Sequence, residues 1–173
     1  MLNFDYVVIS GYIAILFGRS RNTEDVDMFV DVKNRGIFYE FYENIIKNNY
    51  YIINAENKED AYDFLNEGIA LRIAEKGEFI PNFKIKLPKR EIDRISFANK
   101  IKVRFGGVEL NTSELELQIA YKLFLGSEKD YLDAKHLYGV YEKYLCTIKF
   151  KSYIKLLGVK AKIVKTVLGI NIG

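Results

Sequence analysis

Hydrophobic and polar positions divide the chain into a mixed first part and a helical last third. Residues 6–9 (YVVI) form an apolar run with no period. Ser10-Gly11 then opens a predicted short helix, Tyr12 to Phe17, which Gly18 closes. Residues 19–24 (RSRNTE) are polar and read as a loop. Asp25 to Val32 (DVDMFVDV) alternates acid with apolar side chains, the period of a strand. Asn34 to Asn49 puts Ile37, Phe41 and Ile45 on one stripe, with Phe38, Tyr42 and Ile46 beside it, and predicts an amphipathic helix.

Further on, Tyr50 to Asn54, Ala70 to Ala74 and Phe83 to Leu87 predict strands, and residues 58–67 a helix or extended turn. Pro88 to Asn99 reads as irregular or briefly helical. Ile101 to Phe105 and Val108 to Leu110 flank Gly106-Gly107, a hairpin signal. Ser113 and Glu116 have the spacing of a capping box for a helix that runs to Leu125, with Gly126 closing it. A second helix is expected from Glu128 to Tyr144, then short amphipathic pieces closed by Gly158 and Gly169. This order predicts an α+β fold. The expected parts are an α/β core over residues 1–110 and a helical region over 111–173.

Composition changes this picture in three respects. The 173 residues, 49% hydrophobic and 28% charged, suffice for a folded domain with a sizeable core. Cys146 and His136 are the single cysteine and histidine, which rules out an internal disulfide and argues against a zinc site or a Ser-His-Asp arrangement. Cys146 is expected to be buried and inert, and His136 to pack or lie on its helix surface. The third respect is charge. After Glu142 come seven lysines and no acid, which turn a body of net −4 into a chain of +3. That tail is a candidate surface for an anionic partner. The apolar N-terminal stretch has Asp5 early and no basic segment before it, so neither a secretory signal nor a membrane span is expected and a cytoplasmic location is.

The sharpest chemistry lies between Ile9 and Val30. Residues i and i+2 of a strand share a face, so Asp25 and Asp27 are expected to present two carboxylates side by side. Adjacent carboxylates repel unless a cation lies between them, and a hard ion such as Mg2+ suits them and grips a nucleoside triphosphate (NTP). Ser10 and Gly11 suit the phosphate end of such a site, because glycine lets backbone approach a phosphate closely. Arg19 and Arg21, on the following loop, are candidates to pair with phosphate oxygens.

These residues resemble the nucleotidyltransferase superfamily (DNA polymerase β-like), in particular the small prokaryotic branch with AbiEii-type toxins and MNT-type antitoxins. A segment of the form GGYA…hGR.R.T.D.D is common there. Gly11-Tyr12, Gly18-Arg19, Arg21, Thr23, Asp25 and Asp27 match it position by position. Residues 114–138 resemble that branch's helical segment, with Lys122, Lys129, Asp130 and Asp133 on its matching positions. The resemblance implies a small mixed sheet flanked by helices, with C-terminal helices. It implies Asp25 and Asp27 as catalytic and metal-holding residues, and a nucleotide site that draws on Ser10, Gly11, Arg19, Arg21, Thr23, Lys122, Lys129 and Asp130.

The chain departs from the family at two places. Ser10 replaces the first glycine. The family's third carboxylate, on a later strand, has no counterpart, because Lys84 and Lys86 stand where it is expected. A lysine there takes over a metal ion's electrostatic role and discourages metal binding. Three functions follow as expectations. The first is transfer of a nucleoside monophosphate from an NTP to a hydroxyl of a protein, an RNA end or a small molecule. The second is a binding module of the same fold, antitoxin-like or regulatory, without turnover. The third is nucleic-acid binding by the lysine tail.

Overall fold

The computed structural model describes residues 4–172 and divides the chain into two compact units. Of the described residues, 4–12 and 22–112 make the first, and 13–21 and 113–172 the second.

The first unit is built on a seven-stranded mixed sheet in the order β3-β4-β5-β2-β1-β7-β6. Its strands are β1 (Asp5–Val8), β2 (Asp25–Asp31), β3 (Tyr50–Ile52), β4 (Leu71–Glu75), β5 (Asn82–Lys86), β6 (Ile101–Phe105) and β7 (Val108–Thr112). The run at residues 6–9, without a periodic signature, is therefore largely a strand. Its neighbour β2 is central, antiparallel to β1 and parallel to β5. Met28, Phe29 and Val30 are buried consecutively, because both sheet faces are covered at that point. On one face Phe97 packs against Val7, Ile9 and Phe29.

Local chemistry explains most element ends in this unit. Helix α2 (Arg35–Lys47) starts where Asn34 accepts the Ile37 N–H at 3.0 Å, and it buries Phe38 and Phe41. Helix α3 (Lys58–Glu67) is capped by Asn57, which accepts from the Asp60 N–H at 2.8 Å, and it ends at left-handed Gly68. Residues 88–99 contain a true helix, α4 (Glu91–Ala98), whose Asp93 side chain accepts the Arg90 N–H. Gly106 and Gly107, both with positive φ, form the two-residue turn of the β6–β7 hairpin, as the sequence predicts.

The second unit is helical. Helix α1 (Gly11–Leu16) begins in the first unit and continues into this one. It is joined by α5 (Leu115–Leu125), α6 (Glu128–Tyr141), a 3-10 turn (Glu142–Tyr144), α7 (Thr147–Leu156) and α8 (Ala161–Leu168). α5 is buried almost all round, including Leu117, Ile119 and Leu123 but also Glu116 and Lys122. A helix this enclosed has to find partners for its charged side chains.

Two expectations fail here. Ser113 and Glu116 form no capping box: α5 starts after Glu114 without a side-chain cap, and the Glu116 carboxylate instead accepts the Cys146 N–H at 2.8 Å. Cys146 is exposed, not buried, because it lies at the turn into α7. Among the described residues no helix is long and apolar enough to cross a membrane.

Candidate functional site

The sequence-predicted residues fall into two sets, one in each unit. The sheet unit holds Ser10, Gly11, Thr23, Asp25 and Asp27; the helical unit holds Arg19, Arg21, Lys122, Lys129 and Asp130.

In the sheet unit, Asp25 and Asp27 stand on one face of β2, both half-buried. Among the described residues neither carboxylate has an ion-pair partner. The backbone holds them in place. The Thr23 hydroxyl donates to the Asp25 carbonyl at 3.0 Å, and the Ile9 N–H donates to the Asp27 carbonyl at 3.0 Å. This second bond sets Ser10 and Gly11 next to the carboxylate strand. Ser10 has φ +68°, a left-handed conformation that glycine adopts freely and serine does not. The family's preference for glycine at this position thereby has a backbone reason. Asp25 also lines a cavity of about 620 Å³ bounded by Tyr6, Tyr12, Val26, Asn82 and Phe83.

The neighbouring strand bears on the missing third carboxylate. β5 runs parallel to β2 with Asn82 beside Asp25 and Lys84 beside Asp27. On the far side of β5, β4 sets Arg72 beside Lys84. Across the sheet the row reads Asp27, Lys84, Arg72. Asn82 is almost fully buried and holds this corner together. It donates to the carbonyls of Glu24 and Phe79 and accepts from Arg72 Nε at 3.4 Å. Sequence reasoning missed Asn82 and Arg72, whose importance comes from a strand order that no local pattern encodes. Lys86 has a different setting, with its ammonium 5.2 Å from the Phe29 ring centre.

In the helical unit, charged residues converge on Asp133, which is 0% exposed. Arg19 contacts one carboxylate oxygen, and Arg21 Nη1 lies 2.6 Å from the other, with Lys122 Nζ 3.0 Å from it. Lys122 also reaches Asp130 at 2.8 Å, and Ser127 donates to Asp130 at 2.6 Å. Lys129 contributes its backbone carbonyl, which accepts from Arg19 at 3.3 Å. His136 Nε2 bonds the Phe17 carbonyl at 2.9 Å and so fastens α6 to the end of α1.

Burial pushes the Lys122 ammonium below its ordinary value, against the pull of Asp130. Burial also pushes Asp130 upward, but hydrogen bonds from Lys122 and Ser127 outweigh it and hold the carboxyl below its usual range. The network combines three cations with two carboxylates. It keeps a positive excess, the balance an anionic ligand prefers.

Among the described residues no three His, Cys, Asp or Glu side chains cluster as a metal site. The two carboxylates of β2 offer hard oxygen donors that fit one divalent ion whose coordination is completed by phosphate oxygens. They do not fit a pair of ions, because Lys84 occupies the neighbouring strand position.

No family model matches the chain, and no curated protein matches it. Solved structures do. An antigenic nucleotidyltransferase-like protein from Paracoccidioides brasiliensis aligns over 99% of this chain and 87% of its own, with TM-score 0.56 and 16% identity. The antibiotic-resistance factor ANT(2'')-Ia aligns over 95% of this chain and 87% of its own, with TM-score 0.55 and 10% identity. Such identities speak for architecture alone, and on that level the sheet, the carboxylate strand and these alignments agree: the chain has the nucleotidyltransferase fold.

Proposed function

We propose that the protein transfers a nucleoside monophosphate from an NTP to a hydroxyl acceptor, using one Mg2+ held by Asp25 and Asp27. The observation that carries this reading is the pair of half-buried carboxylates, side by side on a central strand and without ion pairs among the described residues. A bound Mg2+ supplies charge neutralisation at the reacting phosphate. The acceptor oxygen forms a bond to the α-phosphorus, the bond to the β-phosphate bridge breaks, and pyrophosphate leaves as the hydroxyl proton is lost to solvent. Asp25 and Asp27 would hold that ion where the α-phosphate reacts, and Thr23 keeps the strand that carries them in register. Such positioning and electrostatic work is most of what this chemistry asks of a protein.

A second reading has its own support. Lys84 beside Asp27 favours a nucleotide-binding module that does not turn over. Incubation with α-labelled ATP, GTP, CTP or UTP, Mg2+ and protein, RNA and small-molecule acceptors separates the two. Label transfer that disappears in the Asp25→Ala/Asp27→Ala variant supports the enzyme. Nucleotide binding with no transfer to any acceptor leaves the binding module.

A further inference from the structure

Helix α2 does not close fully on the sheet it covers. Between them lies a cavity of about 380 Å³, a volume in the range of small-molecule sites. Strand alternation places it on the face of the sheet opposite Asp27, Lys84 and Arg72. Met28 lines it beside its β5 partner Ile85, and Ile73 of β4 lines it beside Phe83. The helix contributes Phe41, Asn44, Ile45 and Asn48, the i, i+3, i+4, i+7 spacing of one face. Interiors are close-packed, so a void of this size beneath a helix calls for an occupant. Phe83 is 43% exposed, although Ile85 on the same face is buried, and the cavity is therefore open to solvent along Phe83.

The lining decides what fits. None of its residues carries a charge, so a phosphate, carboxylate or ammonium would lose its water there without gaining a counter-charge. Its aliphatic and aromatic walls suit a flat apolar ring. Asn44 is the exception, an amide between Phe41 and Ile45 on the inward face of an amphipathic helix. Asn48 donates to the Asn44 backbone carbonyl at 2.8 Å, but among the described residues the half-buried side-chain amide of Asn44 has no hydrogen-bond partner. That amide offers a donor and an acceptor side by side. We propose that this cavity binds an uncharged aromatic small molecule, its rings against Met28, Ile85 and Phe83 and its polar edge paired with the Asn44 amide. A nucleotide is excluded from it by charge. The cavity is thus a second site, behind the carboxylate strand, and it does not depend on the nucleotide reading of the other face.

The test uses two neutral probes on the whole protein. One is 2-quinolone, a fused ring pair with an N–H beside a carbonyl; the other is 1-methyl-2-quinolone, which lacks the donor. The readout is the Met28 methyl resonance in protein labelled with methyl-13C methionine, one of two methionine signals, assigned by its loss in Met28→Leu. 2-Quinolone is expected to shift that resonance saturably, with a dissociation constant of about 1 mM or tighter. It is expected to bind about fivefold or more tightly than its methyl derivative. Asn44→Leu, which favours the helix, is expected to retain binding of both probes and to erase that preference. Ile45→Trp, which fills the cavity from the helix side, is expected to abolish the shift. If the Met28 resonance stays still up to the solubility limit of both probes, the inference falls. It falls equally if the wild type binds the two probes alike, or if Asn44→Leu keeps the preference.

Discussion

Lys122 and Asp133 meet inside the helical unit with ammonium and carboxylate 3.0 Å apart, and neither side chain is more than 4% exposed. Such a pair adds little net stability against an apolar equivalent, yet removing one partner leaves an uncompensated buried charge. Asp133 also receives Arg19 and Arg21, so its loss removes a shared counter-charge from three cations, of which Lys122 keeps Asp130. Asp133→Asn is expected to destabilise the protein by about 3–5 kcal/mol, measured by urea unfolding. Lys122→Met, which removes a cation from a network already in positive excess, is expected to cost clearly less. A loss below about 1 kcal/mol for Asp133→Asn would show that the network does not hold the unit together.

The same network sets an acid limit. Asp130 titrates below its ordinary value of 3.8 in the folded protein, so between the folded and unfolded values the unfolded chain binds more protons. Its contribution is complete above the unfolded value and disappears as pH falls through the folded one. Lys122 has the same sign at the alkaline end. Its folded value lies below its ordinary 10.5, so stability rises as pH climbs through that window. Denaturation midpoints followed from pH 5 down to pH 2 are expected to fall more steeply for the wild type than for Asp130→Asn. Parallel curves would count against this account.

What could be read from the sequence follows the range of the interactions. The Asn34 start of α2, the Gly106-Gly107 hairpin and the alternating β2 strand depend on neighbours in sequence, and each is found where the pattern puts it. β1 escaped because four consecutive apolar residues carry no period. The Ser113–Glu116 spacing misled because Glu116 bonds thirty residues away, to the Cys146 N–H, instead of capping its own helix. At the candidate site, Asp25 and Asp27 share a face by strand period alone. The settings of Lys84 and Arg72 depend on a strand order that brings β5 between β2 and β4. Arg19 and Arg21 are over 110 residues from Asp133, beyond any local signal.

The lysine-rich C-terminal helices are an expected contact for a polyanion. Deleting them would remove Phe150, Tyr153, Ile154 and Val164, all buried, and uncover the core they pack into, so point substitutions are the sound test. Lys155, Lys162 and Lys165 are exposed, whereas Lys149 is engaged with Glu114 at 2.7 Å. If the surface serves an anionic partner, Lys155→Glu/Lys162→Glu/Lys165→Glu is expected to weaken binding of single-stranded RNA. It should also lower the slope of log K against log salt by about one per lysine engaged. An unchanged slope, with folding intact, would assign these lysines to solvent alone.

Ser10 supplies the last prediction, because its backbone and its neighbourhood make separable demands. With φ +68° it occupies a region that costs a non-glycine residue roughly 1–2 kcal/mol, and a β-branched one more. Ser10→Gly removes that cost but gives the unfolded chain more freedom, worth about 0.5–1 kcal/mol in the other direction, and it forgoes the serine hydroxyl. The net change in unfolding free energy is expected to stay within about 1 kcal/mol. Ser10→Val has no compensation and is expected to cost at least about 1–2 kcal/mol. The two variants also bear on nucleotide binding. If Ser10 matters through backbone shape, Ser10→Gly retains nucleotide affinity while Ser10→Val loses it, since the Ile9–Asp27 bond ties this turn to the carboxylate strand. Equal loss in both variants would assign the contribution to the hydroxyl instead.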